Sequence, residues 1–179
     1  MNNDIEQILI SKEEIQEAAK RIGDQINVDY KDKSPIFVSV LKGALMWTAD
    51  ILTNVDISCE IEFINISSYH GGLSSHNEIE LIGDLNTTID GRDVIIIEDI
   101  VDTGQSLTYL IDLLKSRNAA SVKVVSMLDK KSGRKVDTIV DYSGFDIDNV
   151  FIVGYGLDYQ ERYRNLSYIG VLKSEVYKQ

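Results

Sequence analysis

Apolar positions in this chain repeat with two periods. Ile15, Ala18, Ala19, Ile22 and Ile26 recur every three or four residues and make one face of a helix. Ser11, with Glu14 three residues on, is a capping-box pattern that starts it. Pro35 leads into a buried strand over 36–41, and the spacing of Leu45, Met46, Ala49 and Leu52 predicts a second helix with those residues facing inward. Residues 57–67 alternate imperfectly and read as a long strand, with 78–82 returning as the second strand of a hairpin. The β-branched run 94–97 reads as a strand buried on both faces. After it, Leu107, Leu110, Ile111 and Leu114 form a helical stripe running to about Arg117. Residues 121–128, 136–142, 151–155 and 168–172 read as further strands.

Strands and helices alternate through 35–128. This predicts an α/β fold with a central, mostly parallel sheet flanked by helices on both sides. The last third is richer in short strands and is expected to join the N-terminal segment in a small hood over the sheet edge. The chain reads as one domain over 1–179, its core at about 35–155 and its hood built from the N-terminal segment and about 156–179. A hydrophobic content of 44% with 26% charged residues is that of a globular protein, and a net charge of −11 argues against a nucleic-acid surface. A lone Cys59 leaves no internal disulfide and fits a reducing compartment. The first residues lack the basic and apolar regions of a leader, and no apolar run is long enough for a bilayer, so a cytoplasmic location without membrane partners is expected. Two histidines and one cysteine argue against a His/Cys metal site.

The chemistry concentrates in 94–106, Val-Ile-Ile-Ile-Glu-Asp-Ile-Val-Asp-Thr-Gly-Gln-Ser. Glu98 and Asp99 end the apolar run, Asp102 follows in the turn, and Gly104 allows a tight bend before the helix. Thr103, Gly104, Gln105 and Ser106 begin that helix, where free amides and the dipole attract a terminal phosphate. Glu98 and Asp99 suit sugar hydroxyls or a Mg²⁺ ion that keeps part of its water shell. One acidic residue here would read as a solvated cap. Three, followed by Thr-Gly-x-Ser, point to a phosphorylated sugar. Lys42-Gly43 stands at another strand end before a helix and suits a second anion. Residues 68–77, with two adjacent glycines and three serines, read as a mobile loop in which His70 and His76 are solvated. Residues 131–135 are a basic turn read as mostly solvated surface. Gly154-Tyr155-Gly156 lacks the third glycine of a dinucleotide fingerprint, and no P-loop is present.

Residues 94–106 resemble the 5-phosphoribosyl-1-pyrophosphate signature of the type I phosphoribosyltransferases: four apolar residues, Glu-Asp, two apolar residues, then Asp-Thr-Gly-x-Ser. The resemblance extends over nearly the whole chain and is greatest to the hypoxanthine-guanine branch. It implies transfer of phosphoribosyl from its pyrophosphate to N9 of a 6-oxopurine, with Mg²⁺ as cofactor and a homodimer or homotetramer as the assembly. It assigns ribose and 5′-phosphate binding to Glu98, Asp99 and 102–106, with Asp102 near N7 of the base as catalytic acid/base. Lys42, Gly43 and Arg164 would meet pyrophosphate, and the Leu41–Lys42 peptide would be cis. Lys130 would meet the 6-oxo group, Phe151 would stack on the base, and Ile152 would offer its backbone carbonyl. Asp158, beside the purine, would join Glu98 and Asp99 toward the metal, and Ser68 and Tyr69 would close as a lid. The chain departs from its relatives at Val150, where they often carry a charged residue bearing on the 2-position of the base.

Three other readings remain. A xanthine-preferring transferase would differ at that 2-position. A phosphoribosyl-pyrophosphate-sensing regulator would share the acidic loop but lack a base pocket and carry a basic surface. A Mg²⁺-binding receiver module would share Glu-Asp after a strand, but leaves Thr103–Ser106 unexplained.

Overall fold

The computed structural model describes residues 1–68 and 79–178. Ser11 caps the first helix, α1 (Lys12–Asp29), as its spacing predicts: its hydroxyl accepts from the Glu14 amide while the Glu14 carboxylate accepts from the Ser11 amide. The expected apolar face, Ile15, Ala18, Ala19, Ile22 and Ile26, is buried. A strand precedes this helix, β1 (Ile5–Ile10), where the pattern gave none. Its partner, β9 (Ile169–Leu172), lies at the other end of the chain, and two register shifts interrupt the pairing.

The main sheet has six strands: β2 (Ile36–Leu41), β3 (Glu60–Ser68), β4 (Ile79–Gly83), β5 (Asp93–Val101), β6 (Ser121–Asp129) and β7 (Tyr142–Asp146). Their order is β4-β3-β2-β5-β6-β7; only the β3–β4 hairpin is antiparallel. The central strands bury both faces. Phe37, Ile95, Ile97, Val125 and Met127 face α1 and α2 (Leu45–Thr53). Their neighbours Ile36, Val38, Val94, Ile96 and Val124 face α3 (Gln105–Ser116). This period-two division places helices on both sides, as the alternation of elements implies.

The hood is a three-stranded antiparallel sheet, β1-β9-β8, with β8 at Ile152–Val153. A last short helix, α4 (Ser174–Tyr177), follows β9. Ile10, Ile152, Tyr155, Leu157 and Ile169 join the same apolar cluster as α1, so hood and main sheet share a core.

Three expectations need correction. Helix α2 turns a partly different face inward: Met46 and Leu52 pack against the core as expected, but the fully buried residues are Trp47, Thr48 and Ile51, whereas Leu45 is 54% exposed and Ala49 is exposed. A buried hydrogen bond of 2.7 Å between the Ser39 and Thr48 hydroxyls goes with that rotation. Residues 136–140 form no strand; β7 begins at Tyr142, and the preceding segment lies across the turn at Thr103, whose carbonyl accepts from the amides of Lys135 and Val136. Finally, β8 is shorter than the expected 151–155, because the chain leaves the strand at Gly154, with φ of +103°.

Candidate active site

The sheet register brings the predicted residues together. In the parallel pair β5–β6, Ile100 lies opposite Leu128 and Val101 opposite Asp129. The next residues on the two strands are therefore Asp102 and Lys130. Lys130 Nζ lies 3.0 Å from Asp102 Oδ2, and the lysine side chain is only 13% exposed. Sequence separation hides this pair, but two strand ends in register impose it.

Strand β5 runs beyond the apolar run to Val101, so Glu98 and Asp99 sit within its carboxyl-terminal part and Asp102 begins the turn. Glu98 is buried, and desolvation with the neighbouring Asp99 charge pushes its carboxyl well above the usual range. Burial pushes Asp99 up to about 6, against the bond its carboxylate accepts from the Ile100 amide at 2.7 Å. Two adjacent carboxylates that resist ionisation fit a dication, and Mg²⁺ needs only one or two protein carboxylates if water and substrate oxygens complete its shell. Asp158 does not complete a three-carboxylate cluster with them: among the described residues no group of three or more metal-ligating side chains occurs. Its Oδ1 faces Arg164 Nη2 at 2.9 Å and its Oδ2 accepts from the Glu161 amide at 2.9 Å, although its charge is felt at Asp99.

Gly104 takes φ of +81° at the start of α3 and offers no side-chain cap. The amides of Ser106 and Leu107 have no intrahelical acceptor at that end of the helix. With Thr103 and Glu98 they line a pocket of about 130 Å³. A side chain at Gly104 would approach Thr138 Cγ2 to 2.6 Å, so the glycine meets both a conformational and a steric demand.

The Leu41–Lys42 peptide is cis. Gly43 packs between Asp99 and Gly156, and a β-carbon on Gly43 would collide with the Asp99 carboxylate. Arg164 Nη1 donates to the Gly156 carbonyl at 2.7 Å, and Lys42 Nζ meets Glu161 at 3.0 Å. The predicted pyrophosphate residues thus share one corner with Asp99.

Phe151 is 38% exposed at the mouth of the hood. One of its faces stacks on Tyr177 (centroids 4.4 Å apart, 14° between planes) and Tyr159 meets it edge-on at 5.6 Å. Ile152 is buried and pairs with Val171 in the hood sheet. Ser68 ends β3, and the lid residues from Tyr69 onward, with His70 and His76, lie outside the described residues.

Arg134 was missed within a turn read as solvated surface. Its Nη1 donates to the carbonyls of Val101 and Asp102, each at 2.7 Å, and its Nη2 pairs with buried Asp129. A lone arginine in a basic run carries no signal for this role. The acidic turn it braces does: carbonyls facing away from water need donors.

Residues 2–160 match the family model described as the phosphoribosyl transferase domain. The chain belongs to that family. It is 49% identical to the hypoxanthine-guanine phosphoribosyltransferase of Bacillus subtilis, over 99% of each chain. It is 50% identical to the bifunctional protein TilS/HprT of Listeria monocytogenes over its own full length, and spans 28% of that longer relative. The crystal structure of a Staphylococcus aureus hypoxanthine phosphoribosyltransferase superposes with a TM-score of 0.96 at 45% identity, covering 100% of this chain and 97% of that one. The type I phosphoribosyltransferase fold is therefore established.

Proposed function

We propose that this chain is a purine-salvage transferase that moves 5-phosphoribosyl from 5-phospho-α-D-ribose 1-diphosphate to N9 of hypoxanthine or guanine, releasing diphosphate. The observation that carries this reading is the Asp102–Lys130 pair standing beside the phosphate-sized pocket at the start of α3. The pocket suits the 5′-phosphate, and Glu98 and Asp99 suit the ribose hydroxyls and a metal ion. Lys130, a donor only, suits the 6-oxo group, and Phe151 offers a ring face to the base. Asp102 would hold the N7 proton as N9 attacks the ribose carbon. Lys42 and Arg164 would stabilise the departing diphosphate. Mg²⁺ held by Glu98 and Asp99, with Asp158 nearby, would neutralise charge on the diphosphate when bound.

The test is diphosphate release from the activated ribose with hypoxanthine, guanine, xanthine and adenine in turn. Release with hypoxanthine or guanine and its near absence with adenine is the expected result, because adenine offers an amino group where Lys130 needs an acceptor. A preference for xanthine would move the assignment to that branch. No release with any base would return the chain to a sensing role.

The chain acts as one domain in this reading, supported by the shared core of hood and sheet. Cytoplasmic action rests on the free Cys59, and among the described residues no helix is long and apolar enough to cross a membrane. A homo-oligomer is favoured by the sheet edge. Ile61 and Phe63 of β3 are exposed on the face opposite the one that buries Ile64, and Ile82 of β4 is 60% exposed. A second copy would cover this apolar edge, and Phe63→Glu should then lower the mass measured by sedimentation.

A further inference from the structure

One carboxylate bridges the two cations at the corner where Gly43 meets the hood. Lys42 Nζ stands 3.0 Å from Glu161 Oε2, and Arg164 Nη2 stands 3.2 Å from Glu161 Oε1. The bridge joins the turn after β2 to the loop after β8. Glu161 does not reach there by chance of side-chain rotation alone. Its backbone is left-handed, with φ of +62°, and its amide donates to Asp158, so the turn itself presents the carboxylate. The Lys42 and Glu161 side chains are 62% and 65% exposed, which leaves both open to an outside anion.

Two oxygens spanning an ammonium and a guanidinium resemble one edge of a phosphoryl group. Resting on the reading of Lys42 and Arg164 as diphosphate partners, we infer that Glu161 is an internal competitor for diphosphate. Its carboxylate occupies the cation pair in the free protein, leaves when the activated ribose enters, and returns as diphosphate departs. The device keeps both cations oriented between turnovers. It also weakens the hold on a product whose several negative charges would otherwise make it slow to leave. Exposed ion pairs are individually weak, so an incoming diphosphate displaces the carboxylate readily and the competition is modest.

The experiment is calorimetric titration of the full chain with magnesium diphosphate, using wild type, Glu161→Gln and Glu161→Ala. Both variants should bind diphosphate about 3- to 10-fold more tightly, the size expected from releasing two exposed ion pairs. KM for the activated ribose should fall in parallel. Affinity for the nucleoside monophosphate product, which does not reach Lys42 or Arg164 in this reading, should stay unchanged. In a Lys42→Met background the gain from Glu161→Gln should shrink. Equal or weaker diphosphate binding by the folded variants, with normal binding by wild type, overturns the competitor role; weaker binding would make Glu161 a helper of the site. If wild type itself binds no diphosphate, the assignment of Lys42 and Arg164 fails, and the inference goes with it.

Discussion

Two loops face each other across the sheet edge, and they are fastened by different means. The acidic turn after β5 is held through its main chain: Arg134 donates to two of its carbonyls, and the amides of Lys135 and Val136 donate to a third, Thr103. The loop over 154–164 has main-chain bonds within itself, such as those between Tyr159 and Arg162 and from the Gly156 amide to the Arg164 carbonyl, but its tie to the Lys42-Gly43 turn runs through the exposed Lys42–Glu161 pair, and its backbone is left-handed at Tyr155, Gln160, Glu161 and Tyr163. Bonds from buried groups to carbonyls have few alternatives, whereas exposed ion pairs exchange readily with water and ligands. The first loop is therefore built as a fixed template for ribose and 5′-phosphate. The second is built to trade its contacts for those of the diphosphate.

The largest effect should come from the chemistry of the fixed loop. Asp102→Asn keeps the size of the side chain and a hydrogen bond toward Lys130, but removes the proton acceptor. Turnover on hypoxanthine should fall by about 10²–10⁴ with the fold intact. Near-wild-type turnover in a folded variant, measured where the chemical step limits the rate, would deny Asp102 that role.

Next in size is a pair of arginine substitutions that separates the loops directly. Arg134→Met leaves buried Asp129 without its partner and two carbonyls without donors. Removing one member of a buried pair costs about 3–5 kcal/mol, so denaturant unfolding should shift strongly. Arg164→Met removes one bond to the Gly156 carbonyl and the pairs with Asp158 and Glu161, whose carboxylates are 30% and 65% exposed, and it leaves no carboxylate as deeply buried as Asp129 without a partner. Stability should change much less there, while KM for the activated ribose rises. If the two variants lose similar stability, the distinction between a braced and an exchangeable loop is wrong.

The same contrast explains what could be read from the sequence. The fixed loop is contiguous, from Val94 to Ser106, so its apolar run, carboxylates and Thr-Gly-x-Ser follow one another and the helix start is plain. The other loop is made by folding. Lys42, Asp158, Glu161 and Arg164 meet only because Gly43 and Gly156 let two backbones touch. Glu161 carries no signal of its own and was not anticipated. Helix α2 misled for another reason. It is apolar on most sides, so spacing alone could not choose a face, and the choice goes with a hydroxyl pair, Ser39 and Thr48, on separate elements. Likewise 136–140 is rich in β-branched residues and so reads as a strand, but Ile139 is 72% exposed and the segment lies along the turn at Thr103 instead of extending the sheet.

The smallest effect should come from a fastening of the exchangeable loop that lies away from the diphosphate corner's ion pairs. The Tyr155 side chain is buried and its hydroxyl bonds to Asp50 on α2, tying the hood loop to the helix that follows the Lys42-Gly43 turn. Burial and the Asp50 charge raise the Tyr155 hydroxyl above its usual range, so it stays protonated and donates throughout the neutral and alkaline working range. Tyr155→Phe keeps the ring in the core and deletes only that donor. Hydrogen bonds to charged groups contribute about 1.5–3 kcal/mol, and Asp50 can recover part of that from water because it is only half-buried. A loss in unfolding free energy of about 1–2 kcal/mol is expected, below that of Arg134→Met. Because Gly156 rests on the Gly43 carbonyl, loosening Tyr155 should also disturb the diphosphate corner. KM for the activated ribose should therefore rise while KM for hypoxanthine stays near wild type. Equal changes in both constants would mean that Tyr155 supports the hood as a whole and not the diphosphate corner in particular.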